Sequence, residues 1–231
     1  MKKILILCAR EEELNAFLSL LPYSKDEEGY YHQELKGDQI TLGIAGIGKV
    51  ARAGSLSRYL ANHATDLRIN VGVAGSLSKE LPPLSTLVAS QCAYWDVDVT
   101  AFGYKRGQRC GHPLFFETDS FYRKKIREEK PKNVVEGLIL SGDTFITAKN
   151  KPDWLRDVFP QALAIDRESG AFAQIGYDCK LPFLVIRSIS DDTNANGNKE
   201  VYEELLNKAC LEAAKLTFKA IQDYFIKLVL F

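Results

Sequence analysis

Three acidic clusters hold most of the chemical potential of this sequence: Glu11, Glu12 and Glu13; Asp166 and Glu168; and Asp191 and Asp192. Each follows a short apolar run that reads as a strand, so each is expected near a strand end. Carboxylates in the first turn of a helix often serve only the helix dipole. Brought together at the ends of strands in one sheet, they would shift one another's pKa values and separate into acid and base roles. No Ser-His-Asp spacing competes with them, and His32, His63 and His112 stand without a partner pattern.

Two glycine-rich segments point to a ligand. Gly43 to Lys49 reads G-I-A-G-I-G-K and satisfies the first seven positions of a P-loop, but Val50 stands where a hydroxyl must ligate magnesium. ATP hydrolysis is therefore disfavoured. What survives is a strand-to-helix turn whose glycines let a ligand approach backbone N–H groups. Gly72 to Ser76, G-V-A-G-S, reads as a second such turn. Two such turns after adjacent strands predict one pocket at the carboxyl edge of a sheet.

The elements that must position these groups alternate as in an α/β domain. Strands are expected at Lys3–Cys8, Tyr30–Leu35, Ile40–Ile44, Ile69–Val73, Thr86–Trp95, Val134–Leu140, Ala162–Ile165 and Phe183–Ile189, and helices beginning near Glu11, Val50, Ser120, Pro152, Glu168 and Lys199. In the last helix Leu206, Ala209, Ala213, Thr217, Ile221 and Tyr224 recur at helical spacing and should face the core. A hairpin turning at Gly37 and Asp38 makes the sheet mixed. The charged stretch Arg123 to Lys132 reads as a solvated helix end. With 231 residues, one domain spanning the chain is expected.

Composition narrows the partners. Thirty basic and thirty acidic residues cancel, leaving no positive field to hold nucleic acid or an anionic membrane. The apolar run Ile4 to Ala9 is shorter than a signal segment, and Lys227 interrupts the apolar C-terminus, so a cytoplasmic protein with no membrane span is expected. Cys8, Cys92, Cys110, Cys179 and Cys210 are odd in number and lack a C-x-x-C pair, which suggests packed thiols rather than disulfides or a metal site.

Taken together, the words A-R-E-E-E-L (Ala9 to Leu14), G-I-G-K-V-A (Gly46 to Ala51), G-V-A-G-S-L (Gly72 to Leu77), D-V-D-V-T-A-F-G-Y (Asp96 to Tyr104), S-G-D-T-F-I (Ser141 to Ile146), F-P-Q-A (Phe159 to Ala162) and R-S-I-S-D (Arg187 to Asp191) run nearly the length of the chain. In this order they resemble the methylthioadenosine/S-adenosylhomocysteine nucleosidases of the nucleoside phosphorylase superfamily. The resemblance implies a three-layer α/β/α sandwich around a mixed, twisted sheet, no cofactor or metal, and a homodimer that binds a small-molecule nucleoside. It implies that Glu13 activates water, Glu168 holds the ribose hydroxyls and Asp191 protonates purine N7. Phe145 and Ile146 would face the purine, and Val99, Phe102, Tyr104, Pro113 and Tyr202 would form the apolar pocket for the 5' substituent, with Asp98 to Tyr104 and Pro113 near the partner. Ile47, Val73, Ala74, Gly75, Asp166 and Ser190 complete the expected substrate-binding set.

Two departures from the family pattern belong to this chain: Arg10 and Arg167 stand where the family has methionines near the ribose and its 5' group. Met1 is the only methionine, but a permanently charged arginine is not the neutral substitute for a packed one. Both arginines therefore join the candidate site, with at least one of them expected to bind an anion. They place a carboxylate-bearing nucleoside of the futalosine type, from the alternative route to menaquinone, beside the default substrates. A phosphorylase and a non-catalytic nucleoside sensor are further alternatives.

Overall fold

The computed structural model describes residues 1–129, 131–195 and 197–222. In chain order these form β1 (Lys3–Cys8), α1 (Glu11–Leu18), β2 (Ser24–Lys25), β3 (Tyr31–Leu35), β4 (Asp38–Ile44), α2 (Lys49–Asn62), β5 (Leu67–Ser76), β6 (Thr86–Tyr94), a short 3-10 helix (Thr100–Phe102) and β7 (Phe116–Glu117). There follow α3 (Ser120–Glu128), β8 (Val134–Ser141), α4 (Leu155–Val158), β9 (Ala162–Asp166), α5 (Ser169–Asp178), β10 (Phe183–Asp192) and α6 (Asn198–Ala220).

The pleat explains why the apolar runs are continuous. Successive side chains of a strand point to opposite faces, so a strand covered on both faces must be apolar throughout. In β1, Ile4, Ile6 and Cys8 pack with Leu14 and Phe17 of α1 and with Leu206 and Ala213 of α6. Leu5 and Leu7 face the other way, toward Leu56 and Tyr59 of α2 and Phe172 and Ala173 of α5. The helices thus form two layers with the sheet between them. A third cluster, with Leu77, Trp95, Leu140, Ile146 and Phe159, fills the region beneath β8 and β9.

The sheet is mixed, as expected, and part of it closes on itself. β5 pairs with β10, β10 with β6, β6 with β8, β8 with β9, and β9 again with β5. β1, β4, β3 and β2 extend from this ring as a flange. The decisive strand is β5, because one of its edges changes neighbour: Leu67 to Asn70 pair with β1, whereas Gly75 and Ser76 pair with β9. Between those pairings an opening is left where β1 ends.

Several local expectations are corrected. Gly72 to Ser76 is not a turn; β5 runs through it to Ser76. Likewise β10 continues past Ile189 to Asp192 across an irregularity in register, so Asp191 lies within a strand. β4 and β5 are not adjacent, since β1 lies between them. The hairpin turns one residue early: Lys36 and Gly37 have φ of 50° and 86°, the paired positive values of a two-residue hairpin turn, and Asp38 already pairs with Leu35. Cys110 and Cys179 are exposed rather than packed, while Cys8, Cys92 and Cys210 are buried and all five are free. In α6, Leu206, Ala209, Ala213, Thr217 and Ile221 are buried as expected; Tyr224, Lys227 and, in the charged stretch, Lys130 lie outside the described residues. Among the described residues no helix is long and apolar enough to cross a membrane.

Candidate active site

The opening beside β5 is the mouth of a cleft of about 530 Å3, its open solvent included. Glu13, Glu168 and Asp191, from three different segments, all line it, and they are only 4%, 6% and 1% exposed. Each is held by a different device. Glu13 sits in the third position of α1, and its Oε2 reaches back to accept the Ala9 N–H at 2.6 Å. Its Oε1 accepts the Val73 N–H at 3.2 Å, a strand amide with no strand partner at the opening. A Cβ on Gly72 would collide with that carboxylate, so the glycine is the space Glu13 occupies.

Glu168 precedes α5, and its Oε1 accepts the Gly48 N–H at 2.8 Å. Burial and the neighbouring Asp166 charge raise its pKa above the usual glutamate range, against the opposing pull of Arg187, Arg52 and that amide. Asp191 receives the Ser190 hydroxyl at 2.8 Å on Oδ1. A Cβ on Gly75 would come within 3.2 Å of its Oδ2 and 2.7 Å of Thr193 Cγ2. Both β5 glycines therefore serve the close approach of side chains and not a turn, Glu13 at Gly72 and Thr193 with Asp191 at Gly75.

The first glycine segment does form a strand-to-helix turn, with Gly46 and Gly48 at φ of 82° and 90°. Its amides, however, are taken up by protein carboxylates: Gly48 N–H by Glu168, and Lys49 N–H by Asp143 at 2.9 Å. The Lys49 ammonium pairs with Asp96 at 2.7 Å and Asp143 at 3.6 Å, so this lysine ties the turn to the loop after β8 rather than reaching a phosphate. That loop carries Thr144, Phe145 and Ile146 into the cleft, and Asn150 fixes it by donating to the Phe145 carbonyl at 3.0 Å.

Asp166 lines the cleft, but its oxygens are spent on the protein. They accept from the hydroxyls of Ser141 and Ser169, from the Ser169 N–H at 3.1 Å, and from Arg187 through Nε and Nη2, both at 2.9 Å. The carboxylate thereby satisfies the start of α5 and a buried cation at once. Arg187 opens the word R-S-I-S-D without a role of its own there, yet a charge inside the apolar run F-L-V-I-R-S-I requires a buried partner. Arg52 was also missed: it is fully buried on α2, its guanidinium nitrogens make no hydrogen bond among the described residues, and the charges that bear on it include Glu168 and Glu13.

Of the remaining expected residues, Arg10, Ile47, Val73, Ala74, Gly75, Phe145, Ile146, Arg167, Ser190 and Tyr202 do line the cleft. Arg10 is already engaged: its Nε and Nη2 donate to Glu12 at 3.1 and 2.8 Å, and Nη1 donates to the Tyr202 hydroxyl. Val99, Phe102, Tyr104 and Pro113 are not among the residues lining this chain's cleft, and Phe102 is 77% exposed. Among the described residues no group of three or more His, Cys, Asp or Glu side chains is placed to hold a metal.

The profile of the Phosphorylase superfamily matches residues 3–222. The chain belongs to that superfamily. Within it, this superfamily member is 31% identical over 229 residues to a 5'-methylthioadenosine/S-adenosylhomocysteine nucleosidase of Maridesulfovibrio salexigens, covering 96% of this chain and 99% of the relative. It therefore belongs to that nucleosidase family as well. A Streptococcus pneumoniae nucleosidase of the same name, solved with the transition-state inhibitor MT-ImmA, superposes with a TM-score of 0.88 at 32% identity, covering 95% and 98% of the two chains. A Helicobacter pylori MTAN mutant with 5'-methylthioadenosine in its active site gives a TM-score of 0.90 at 27% identity over 96% and 99%. These names favour methylthioadenosine and S-adenosylhomocysteine over the futalosine-type nucleoside.

Proposed function

We propose that the protein hydrolyses the N-glycosidic bond of 5'-methylthioadenosine and S-adenosylhomocysteine, releasing adenine. The observation that carries this reading is the convergence of Glu13, Glu168 and Asp191, each buried and each fixed by its own partner, on one cleft. Breaking an N-glycosidic bond builds positive charge on the ribose and negative charge on the departing base. Carboxylates beside the sugar stabilise the first, and a carboxylic acid beside the base removes the second. Asp191, the least exposed of the three, is the acid that protonates N7, with Ser190 fixing its orientation. Glu168 accepts from the ribose hydroxyls. Glu13, anchored by the Ala9 and Val73 amides, takes a proton from the attacking water.

A sensor would need the cleft but not three carboxylates so placed. Arg10 is engaged by Glu12 and Tyr202, and the Glu13 carboxylate in the same cleft would repel inorganic phosphate, which supports hydrolysis over phosphorolysis. Exposed, free Cys110 and Cys179 suit a reducing cytoplasm. The exposed Phe102, with Val99, Tyr104 and Pro113, is read as the wall that a homodimer lends to its partner's cleft, and the whole chain as one nucleosidase domain. The test is release of free adenine from each nucleoside, with and without phosphate. Turnover that requires phosphate, or its absence with both substrates, overturns the proposal.

A further inference from the structure

This inference rests on the nucleosidase reading and concerns the 5' tail. Two guanidinium groups line the cleft, and they are not equivalent. Arg10 has its donors on Glu12 and Tyr202. Arg167 is half-buried and, among the described residues, has no hydrogen bond or ion pair. Its neighbours in sequence do not engage it, since Asp166 is filled by Arg187 and two serines, and Glu168 accepts from Gly48. A partly desolvated cation without an acceptor is costly in a cleft and is compensated by an anion that enters it.

The location of this charge identifies the anion. Arg10, Arg167 and Tyr202 line the same cleft, and the Arg10 guanidinium lies over the Tyr202 ring, 5.9 Å from its centroid. Tyr202 also packs edge-on against Phe145, with ring centroids 5.6 Å apart. With the base against Asp191 and the ribose against Glu168 and Glu13, the cationic lining left for a 5' tail is Arg10 and Arg167, with Tyr202. We infer that Arg167 is a specificity-determining residue that binds a carboxylate at the end of the 5' thioether tail, so that this chain favours amino-acid-bearing nucleosides such as S-adenosylhomocysteine over methylthioadenosine.

The test uses matched adenosine thioethers, 5'-(3-carboxypropylthio) against 5'-butylthio, together with S-adenosylhomocysteine, whose added amino group separates carboxylate recognition from recognition of the whole amino acid. In the wild type the carboxylated compound has the higher kcat/KM of the matched pair, and the advantage shrinks with added salt. Arg167→Met lowers the carboxylated-to-neutral ratio about tenfold or more, Arg167→Lys lowers it less, and Arg10→Met moves it less than Arg167→Met does. An equal loss on both compounds, a larger change in Arg10→Met, or a wild type that does not distinguish the pair overturns the inference. Calorimetric Kd values for the same pair separate this outcome from failure of the nucleosidase reading: absent turnover with an intact Kd ratio sinks the reaction and leaves the carboxylate site standing.

Discussion

Asp191 is 1% exposed, takes its orientation from the Ser190 hydroxyl, and faces a glycine that leaves it room. Such a group acts when charge develops on the base, so Asp191→Asn should lower kcat roughly 100-fold or more while KM and the melting temperature change little. A variant keeping more than about a tenth of wild-type kcat would remove the acid role from this residue. Glu168 gives a different signature. In its proposed role the ribose-binding form is the carboxylate, and burial together with Asp166 raises its pKa. The acid limb of kcat/KM should therefore lie above pH 4.5, the ordinary glutamate value. The stability effect has the opposite sense. The folded state holds this proton more tightly than the unfolded chain, so the group favours folding at pH below the unfolded value, and that contribution is lost as pH rises through the folded one. Glu168→Gln should thus melt higher than wild type at neutral pH, with the gain fading on acidification, although its turnover is lost. Thermal melts across pH decide it, and a gain that grows on acidification would reverse the sign.

At the scale of elements, β5 matters most, because its edge passes from β1 to β9 and leaves the cleft between them. Gly72→Ala would drive a methyl group into the Glu13 carboxylate. That carboxylate is the far end of a flexible side chain and can yield, so the fold should survive while kcat falls about tenfold or more from a displaced base. Unchanged kcat with unchanged folding would argue against Glu13 as the base. The alternation of strands and helices was legible because two-sided burial writes itself as the apolar runs of β1 and β10. The three acidic positions were legible because each lies at or near a strand end. Gly72 and Gly75 were misread as a turn because glycine marks either a positive φ or a close approach, and only the neighbour across the fold decides which. The two-residue strands β2 and β7 carry no pattern at all. Arg187 was legible in principle, as a charge inside a buried strand; Arg52 stands at i, i+3, i+4 and i+7 with Ser55, Leu56 and Tyr59 on the buried face of α2, but with one arginine and one serine among those four the stripe carries no clear apolar signal.

Outside the cleft that holds the three carboxylates, the molecule presents the exposed Phe102 beside the half-buried Val99 and Tyr104. An aromatic ring this exposed is an interface candidate, and the homodimer proposed above would place it in the cleft of a second copy. If so, Phe102 and Asp191 of one chain serve different active sites. Asp191→Asn and Phe102→Asp should each be poorly active alone, yet a mixture that exchanges subunits should recover activity. In each mixed dimer, one site combines a native Asp191 with a native Phe102 donated by the other chain. Random exchange of equal amounts makes half of the dimers mixed, with one good site in two, which gives about a quarter of the wild-type rate per chain. The measurement is adenine release after mixing, with sedimentation confirming that both variants are dimeric. If Phe102 served its own chain's cleft, every site in the mixture would carry a defect and the rate would stay at the sum of the two variants.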